Sequence, residues 1–152
     1  MGEARVEVEL TNTIEAGMAK RGIISKGEVS SLKLDMLVDT GAVMILLPQD
    51  VIETLQLPQG DSRIVVFSDD RKAELRSFYG LMVKIGDRKG SFDCLEGPPN
   101  CEGLIGQVVL ESLDLIVDPL KRKVTPRPES PFLPMVNLKQ TTAQPSAFSA
   151  QL

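Results

Sequence analysis

Apolar and polar positions alternate with a period of two in several short stretches, beginning at Arg5–Thr11 with Arg, Val, Glu, Val, Glu, Leu and Thr. That period describes a strand with one buried face. Val29–Val38 repeats it and sets Leu32, Leu34, Met36 and Val38 on one side. Val43–Leu47 is a continuous apolar run stopped by Pro48. Arg63–Ser68 and Lys72–Phe78 flank the polar run Asp69-Asp70-Arg71 and predict a β-hairpin. Leu81–Ile85 and Gly90–Leu95 predict a second pair around Gly86-Asp87-Arg88-Lys89. Leu115–Val117 and Lys123–Thr125 read as short strands on either side of a turn at Asp118-Pro119.

Helical spacing occurs in two places. Pro48–Leu55 opens on a proline suited to a first helical turn and places Val51, Ile52 and Leu55 on one face. Gln107–Leu113 sets Val108, Val109 and Ser112 at helical intervals. Asn12–Gly27, with glycines at 17, 22 and 27, predicts a hairpin or a mobile loop. Many short strands with frequent turn signals predict an all-β barrel or sandwich carrying one or two short helices.

The pattern ends near Pro126. Residues 127–152 hold four prolines and many Ser, Thr, Gln and Ala. This tail is expected to be extended or disordered, and only Phe132–Leu138 is apolar enough to dock on the body or on a partner. Residues 1–126 then form the single domain that a chain of 152 residues comfortably supports.

Composition narrows the chemistry. Aromatic residues make up 4% of the chain and Trp is absent, so the core must rest on Val, Ile and Leu, which favours strands. A net charge of −4 gives no general attraction to nucleic acid or to an anionic membrane, and the basic run Lys121-Arg122-Lys123 reads as a solvated turn. The start MGEARVEVEL lacks an apolar signal core, Val6 breaks a myristoylation pattern, and no run approaches the ~18 apolar residues of a membrane span. A cytoplasmic location is expected, with Cys94 and Cys101 reduced. With no His and no CxxC pair, a zinc set is not expected, and no other cofactor or metal is implied. The lack of His also removes Ser-His-Asp and Cys-His chemistry within the chain. Hydrolysis would have to rest on carboxylates, lysine or an oxygen-held metal. Asp114 and Asp118 read as surface or turn residues.

Against this background Asp39 stands out. It follows Leu34-Asp35-Met36-Leu37-Val38, opens the triplet Asp39-Thr40-Gly41, and is succeeded by Ala42 and another apolar run. About 65 residues later comes the triplet Leu104-Ile105-Gly106, and a predicted short helix follows it. Together with the hairpin around Phe67-Ser68-Asp69-Asp70-Arg71 and the stretch Leu113–Pro119, these features resemble the retropepsin-like aspartic proteases, in a bacterial or retroelement-like single-domain form. The resemblance covers residues 5 to 126.

It implies a closed barrel, a symmetric homodimer, and an endopeptidase acting on peptide or protein substrates. Two neighbouring carboxylates cannot both ionise cheaply, so they share a proton; one activates a water and the other hydrogen-bonds the scissile carbonyl. The chain has one Asp-Thr-Gly, so the resemblance implies an Asp39 from each subunit on the two-fold axis. Thr40 would hydrogen-bond across that axis. Gly41 would permit a tight turn. Ala42 would line the substrate channel, and Leu104-Ile105-Gly106 would pack beneath the catalytic loop. The hairpin from about Val66 to Ser77 would be a flap, placing Ser68, Asp69, Asp70 and Arg71 over substrate, and Ile105 and Gly106 would also bind substrate. Apolar strands around Asp39 would keep water scarce. Val43 and Gln107 stand where viral members often carry charges that tie the dimer together. A protease-fold module for dimerisation or peptide binding, with weak or lost catalysis, is the alternative, and an intact Asp39-Thr40-Gly41 favours the enzyme.

Overall fold

The computed structural model describes residues 3–138, and its architecture is mostly β. In chain order it runs β1 (Ala4–Asn12), α1 (Thr13–Lys20), a 3-10 turn (Lys26–Glu28), β2 (Ser31–Val38), β3 (Ile45–Leu47), α2 (Gln49–Leu55), β4 (Gln59–Val66), β5 (Lys72–Ile85), β6 (Arg88–Glu96), β7 (Leu104–Ile105), α3 (Gln107–Leu113), β8 (Leu115–Asp118) and β9 (Lys123–Pro126). Seven strands form one sheet in the order β1-β2-β7-β3-β6-β5-β4, and β1 also pairs with β5, so six of the strands pair in a ring. Pairing is antiparallel except for β2 with β7 and β3 with β6. A separate hairpin joins β8 to β9.

The alternation read from the sequence is the alternation of burial. Val8 and Leu10 of β1 and Met36 of β2 are fully enclosed, and Leu32 and Leu34 pack against the same core. Ile45, Leu47, Leu81, Val83, Ile105 and Val109 complete it, an aliphatic core as the scarcity of aromatics requires. Cys94 lies in this core and Cys101 is half-buried; both are free thiols. Burial pushes the Cys94 thiol up to about 12, with the Asp93 charge adding to the effect. No helix among the described residues is long and apolar enough to cross a membrane.

Three local predictions need correction. Asn12–Gly27 contains a helix, α1, whose pattern gave no apolar stripe because none of its residues is buried. Its signal lies in Asn12, whose side chain accepts the Glu15 N–H at 3.0 Å, with an acidic residue three positions on. The same side chain donates to the carbonyls of Leu55 and Gln56 at 2.9 and 3.2 Å, fastening the start of α1 to the end of α2. Second, Lys72–Phe78 and Leu81–Ile85 are one long strand; the break is a register shift against β6 that Gly80 accommodates at φ +78°. Third, Arg88 is not turn material. It pairs with Ile85 in the sheet and its side chain is buried.

Arg88 and Asp114 anchor the chain beyond Pro126. Arg88 donates to the carbonyls of Leu113 and Asp114 at 3.0 and 2.8 Å, closing the end of α3, and to the carbonyl of Ser130. Asp114 is buried at φ +57°, correcting its reading as a surface residue. Its carboxylate accepts the Ser130 hydroxyl and, at 2.8 Å, the Met135 N–H. Arg127 Nε lies 2.5 Å from the other carboxylate oxygen, a charge contact whose N–H is not aligned for a hydrogen bond. Residues 127–138 thus hold no helix or strand, yet Ser130 is buried. The rest of the predicted tail, 139–152, lies outside the described residues.

The Ser130 hydrogen bond first, then the Met135 N–H and Arg127, lower the Asp114 pKa from its ordinary 3.8. A lowered folded-state pKa means a contribution to stability that is complete above the unfolded value and is lost as pH falls through the folded one. Asp114→Asn should therefore melt below wild type at neutral pH, and the gap should close as pH falls below 3.8. Thermal unfolding followed across that range checks it; a gap independent of pH would contradict the role of the charge.

Candidate active site

The geometry at Asp39 follows from two strands running side by side. β2 and β7 pair in parallel, Leu37 against Leu104 and Val38 against Ile105. The Leu37 N–H donates to the Gly103 carbonyl and the Asp39 N–H to the Ile105 carbonyl, both at 3.0 Å. The chain then turns sharply. The Gly41 N–H donates to Asp39 Oδ1 at 2.9 Å, and the Ala42 N–H to the Asp39 carbonyl at 3.2 Å. Short Asp side chains bonding a backbone N–H two residues on are a recurrent way to fix such a turn.

Past the turn the chain is tied again to the segment after β7. The Gln107 N–H donates to the Ala42 carbonyl at 2.7 Å and the Val108 N–H to the Val43 carbonyl at 3.0 Å. Gly106 immediately precedes these bonds. A Cβ there would come within 2.6 Å of the Val43 carbonyl oxygen and closer still to that of Met44. Both are backbone atoms with no freedom to rotate away, so the approach requires glycine through contact, its backbone being ordinary extended chain. The structure therefore brings Asp39, Thr40, Gly41 and Ala42 together with Ile105 and Gly106.

Asp39, Thr40 and Gly41 are exposed. The expectation that flanking strands alone keep water from Asp39 is corrected: they hold its backbone, while its side chain faces solvent. Among the described residues its carboxylate has one hydrogen-bond partner, the Gly41 N–H, and no ion-pair partner. No group of three or more His, Cys, Asp or Glu among the described residues is placed to hold a metal ion.

Ser68, Asp69, Asp70 and Arg71 occupy the tip between β4 and β5. The tip is self-contained. The Phe67 N–H donates to the Arg71 carbonyl at 2.8 Å, Arg71 Nε donates to Asp69 at 2.7 Å, and the guanidinium lies 5.0 Å from the centre of the Phe67 ring. Asp70 adopts φ +66°. None of the four lines the cleft that contains Asp39, so this single chain does not gather the hairpin tip and the carboxylate into one site.

Two clefts flank the turn. One, of about 550 Å³, has Leu37, Val38, Asp39 and Thr40 on one side and the β8–β9 hairpin on the other. The second, of about 520 Å³, is lined by Val43, Met44, Phe92 and Val108, with Arg63 and Asp93 at its edge. The lining of the second escaped the sequence reading because its residues come from the segment before β3 and from β4, β5, β6 and α3, and share no motif.

No family model matches the chain, and the comparison with curated proteins finds no similar sequence.

Replacing Gly106 by Ala forces backbone apart at the turn. Gly106→Ala should cost about 3 kcal/mol, the upper part of the range for overpacked interiors. A fall in the urea midpoint checks this; an unchanged midpoint would show that the two segments are not held as close as described.

Proposed function

We propose that this chain is one half of a homodimeric aspartic endopeptidase with a retropepsin-like closed barrel. The observation that carries the reading is the Asp39-Thr40-Gly41 turn itself: an exposed carboxylate on a backbone fixed from both sides, with the chain just past the turn packed against Gly106. The ring of strand pairings supports the barrel. A rigid mount for one carboxylate, open on its far side, suits a site whose second carboxylate comes from another copy.

In that dimer the two Asp39 carboxylates share one proton. The ionised member takes a proton from the bound water, whose oxygen attacks the scissile carbonyl carbon. The protonated member hydrogen-bonds the carbonyl oxygen. A proton then passes to the leaving amine as the C–N bond breaks, so no covalent intermediate with the protein forms. The partner's approach would also supply the exclusion of water that the single chain lacks. The β4–β5 hairpin would act as a lid; its arm exposes Ile64 and Val66, apolar side chains available to a peptide.

That same exposed arm favours the second reading, a dimerisation or peptide-binding module without catalysis. Cleavage of a mixed peptide library between about pH 4 and 7 separates the two, since shared-proton carboxylates work on the acid side of neutrality. Asp39→Asn should lower the cleavage rate by at least about a thousandfold, the scale of a lost general acid–base pair, with peptide affinity retained. A wild-type dimer that binds peptides and cleaves none would establish the module instead.

A further inference from the structure

The basic turn between β8 and β9 lies beside the Asp39 turn: Leu120 and Arg122 line the same cleft as Asp39 and Thr40. The residues linking the two strands, Pro119 to Arg122, include Leu120, which is 93% exposed, the highest value of any large apolar side chain among the described residues. Its exposure is not a by-product of a loose turn. Asp118 Oδ1 accepts the N–H groups of Leu120 and Lys121 at 3.0 and 3.2 Å, and Arg122 takes a left-handed φ of +54°, so the tip is built without any help from the leucine side chain. Hairpin tips are ordinarily polar, and a leucine held out at one is a candidate anchor for another surface.

We propose that the occupant of this cleft is a second copy of the chain, with Leu120 of each copy seated in the cleft of the other. The proposal rests on the aspartic protease reading, because that reading requires a second copy to approach Asp39, and the cleft is continuous with it. Charge supports self-recognition. Glu3, 4.0 Å from Arg5 of its own chain, and Arg122 both line the cleft, so a two-fold pair brings opposite charges from both copies to one interface. The apolar floor offered to the leucine comprises Leu37, Val38 and Val117. On this view the Lys121–Lys123 run belongs to the interface between copies and is not a merely solvated turn.

Analytical ultracentrifugation of the full chain and two variants tests this. Leu120→Asp should raise the dimer dissociation constant by at least about a hundredfold, since two anchors are lost per dimer, and peptide cleavage should fall with it at low protein concentration. Ile23→Asp, at an exposed large apolar residue outside the cleft (60%), should leave association at the wild-type value. Far-UV circular dichroism of both variants should match wild type, both sites being on the surface, so that lost association is not lost folding. A Leu120→Asp protein that dimerises as tightly as wild type, equal weakening by both variants, or a wild-type chain that never dimerises would each overturn the proposal. A wild-type dimer that Leu120→Asp dissociates, yet that cleaves nothing, would uphold the docking surface and refute the activity.

Discussion

Besides the ladder between β2 and β7, four backbone hydrogen bonds join the segment 37–43 to the segment 103–108, two before the Asp39 turn and two after it. The close approach of residues 43–44 to Gly106 leaves no room for a side chain there, and the bonds on both sides of the turn fix the backbone that carries the carboxylate. Buried backbone groups must find partners, so a turn between apolar strands has few alternatives once these bonds exist. The parallel pairing of β2 with β7, the start of α3 and the position of Ala42 and Val43 all follow from the same crossing. A carboxylate on such a mount has its backbone position defined within the single chain.

α3 carries this constraint across the molecule. Its first residues bond to the Asp39 turn, while its last carbonyls are gripped by Arg88. Asp114, immediately after it, holds Ser130, Met135 and Arg127. A helix of seven residues is too short to be stable alone, so its ends must be fixed by tertiary contacts. The segment past Pro126 thus contributes to the order of the body, and one buried carboxylate with its two neighbouring guanidinium groups does the fastening.

What the sequence disclosed and what it hid divide along sequence separation. The strand alternation, the extent of α3 and the Asp39 and Gly106 triplets are local patterns, and each is found where it was expected. α1 was hidden because it buries none of its residues, although Asn12 and Glu15 carried its capping signal. The sequence places Arg88 in a turn and Asp114 at the surface or in a turn because their partners lie far along the chain; Arg88 reaches Ser130 across 42 positions. The exposure of Asp39 was missed for a related reason. Apolar neighbours in sequence show that its backbone is held, but only the folded chain shows that its side chain faces outward.

Whether one site is built from two chains is open to direct measurement. Wild-type chain is mixed with Asp39→Asn at constant total concentration, subunits are allowed to exchange, and peptide cleavage is followed as the wild-type share falls. If each site takes one Asp39 from each copy, activity follows the square of that share, so a half-and-half mixture keeps about a quarter of the wild-type rate. A linear decline, with about half the rate retained, would mean that each chain works alone and would contradict the shared site.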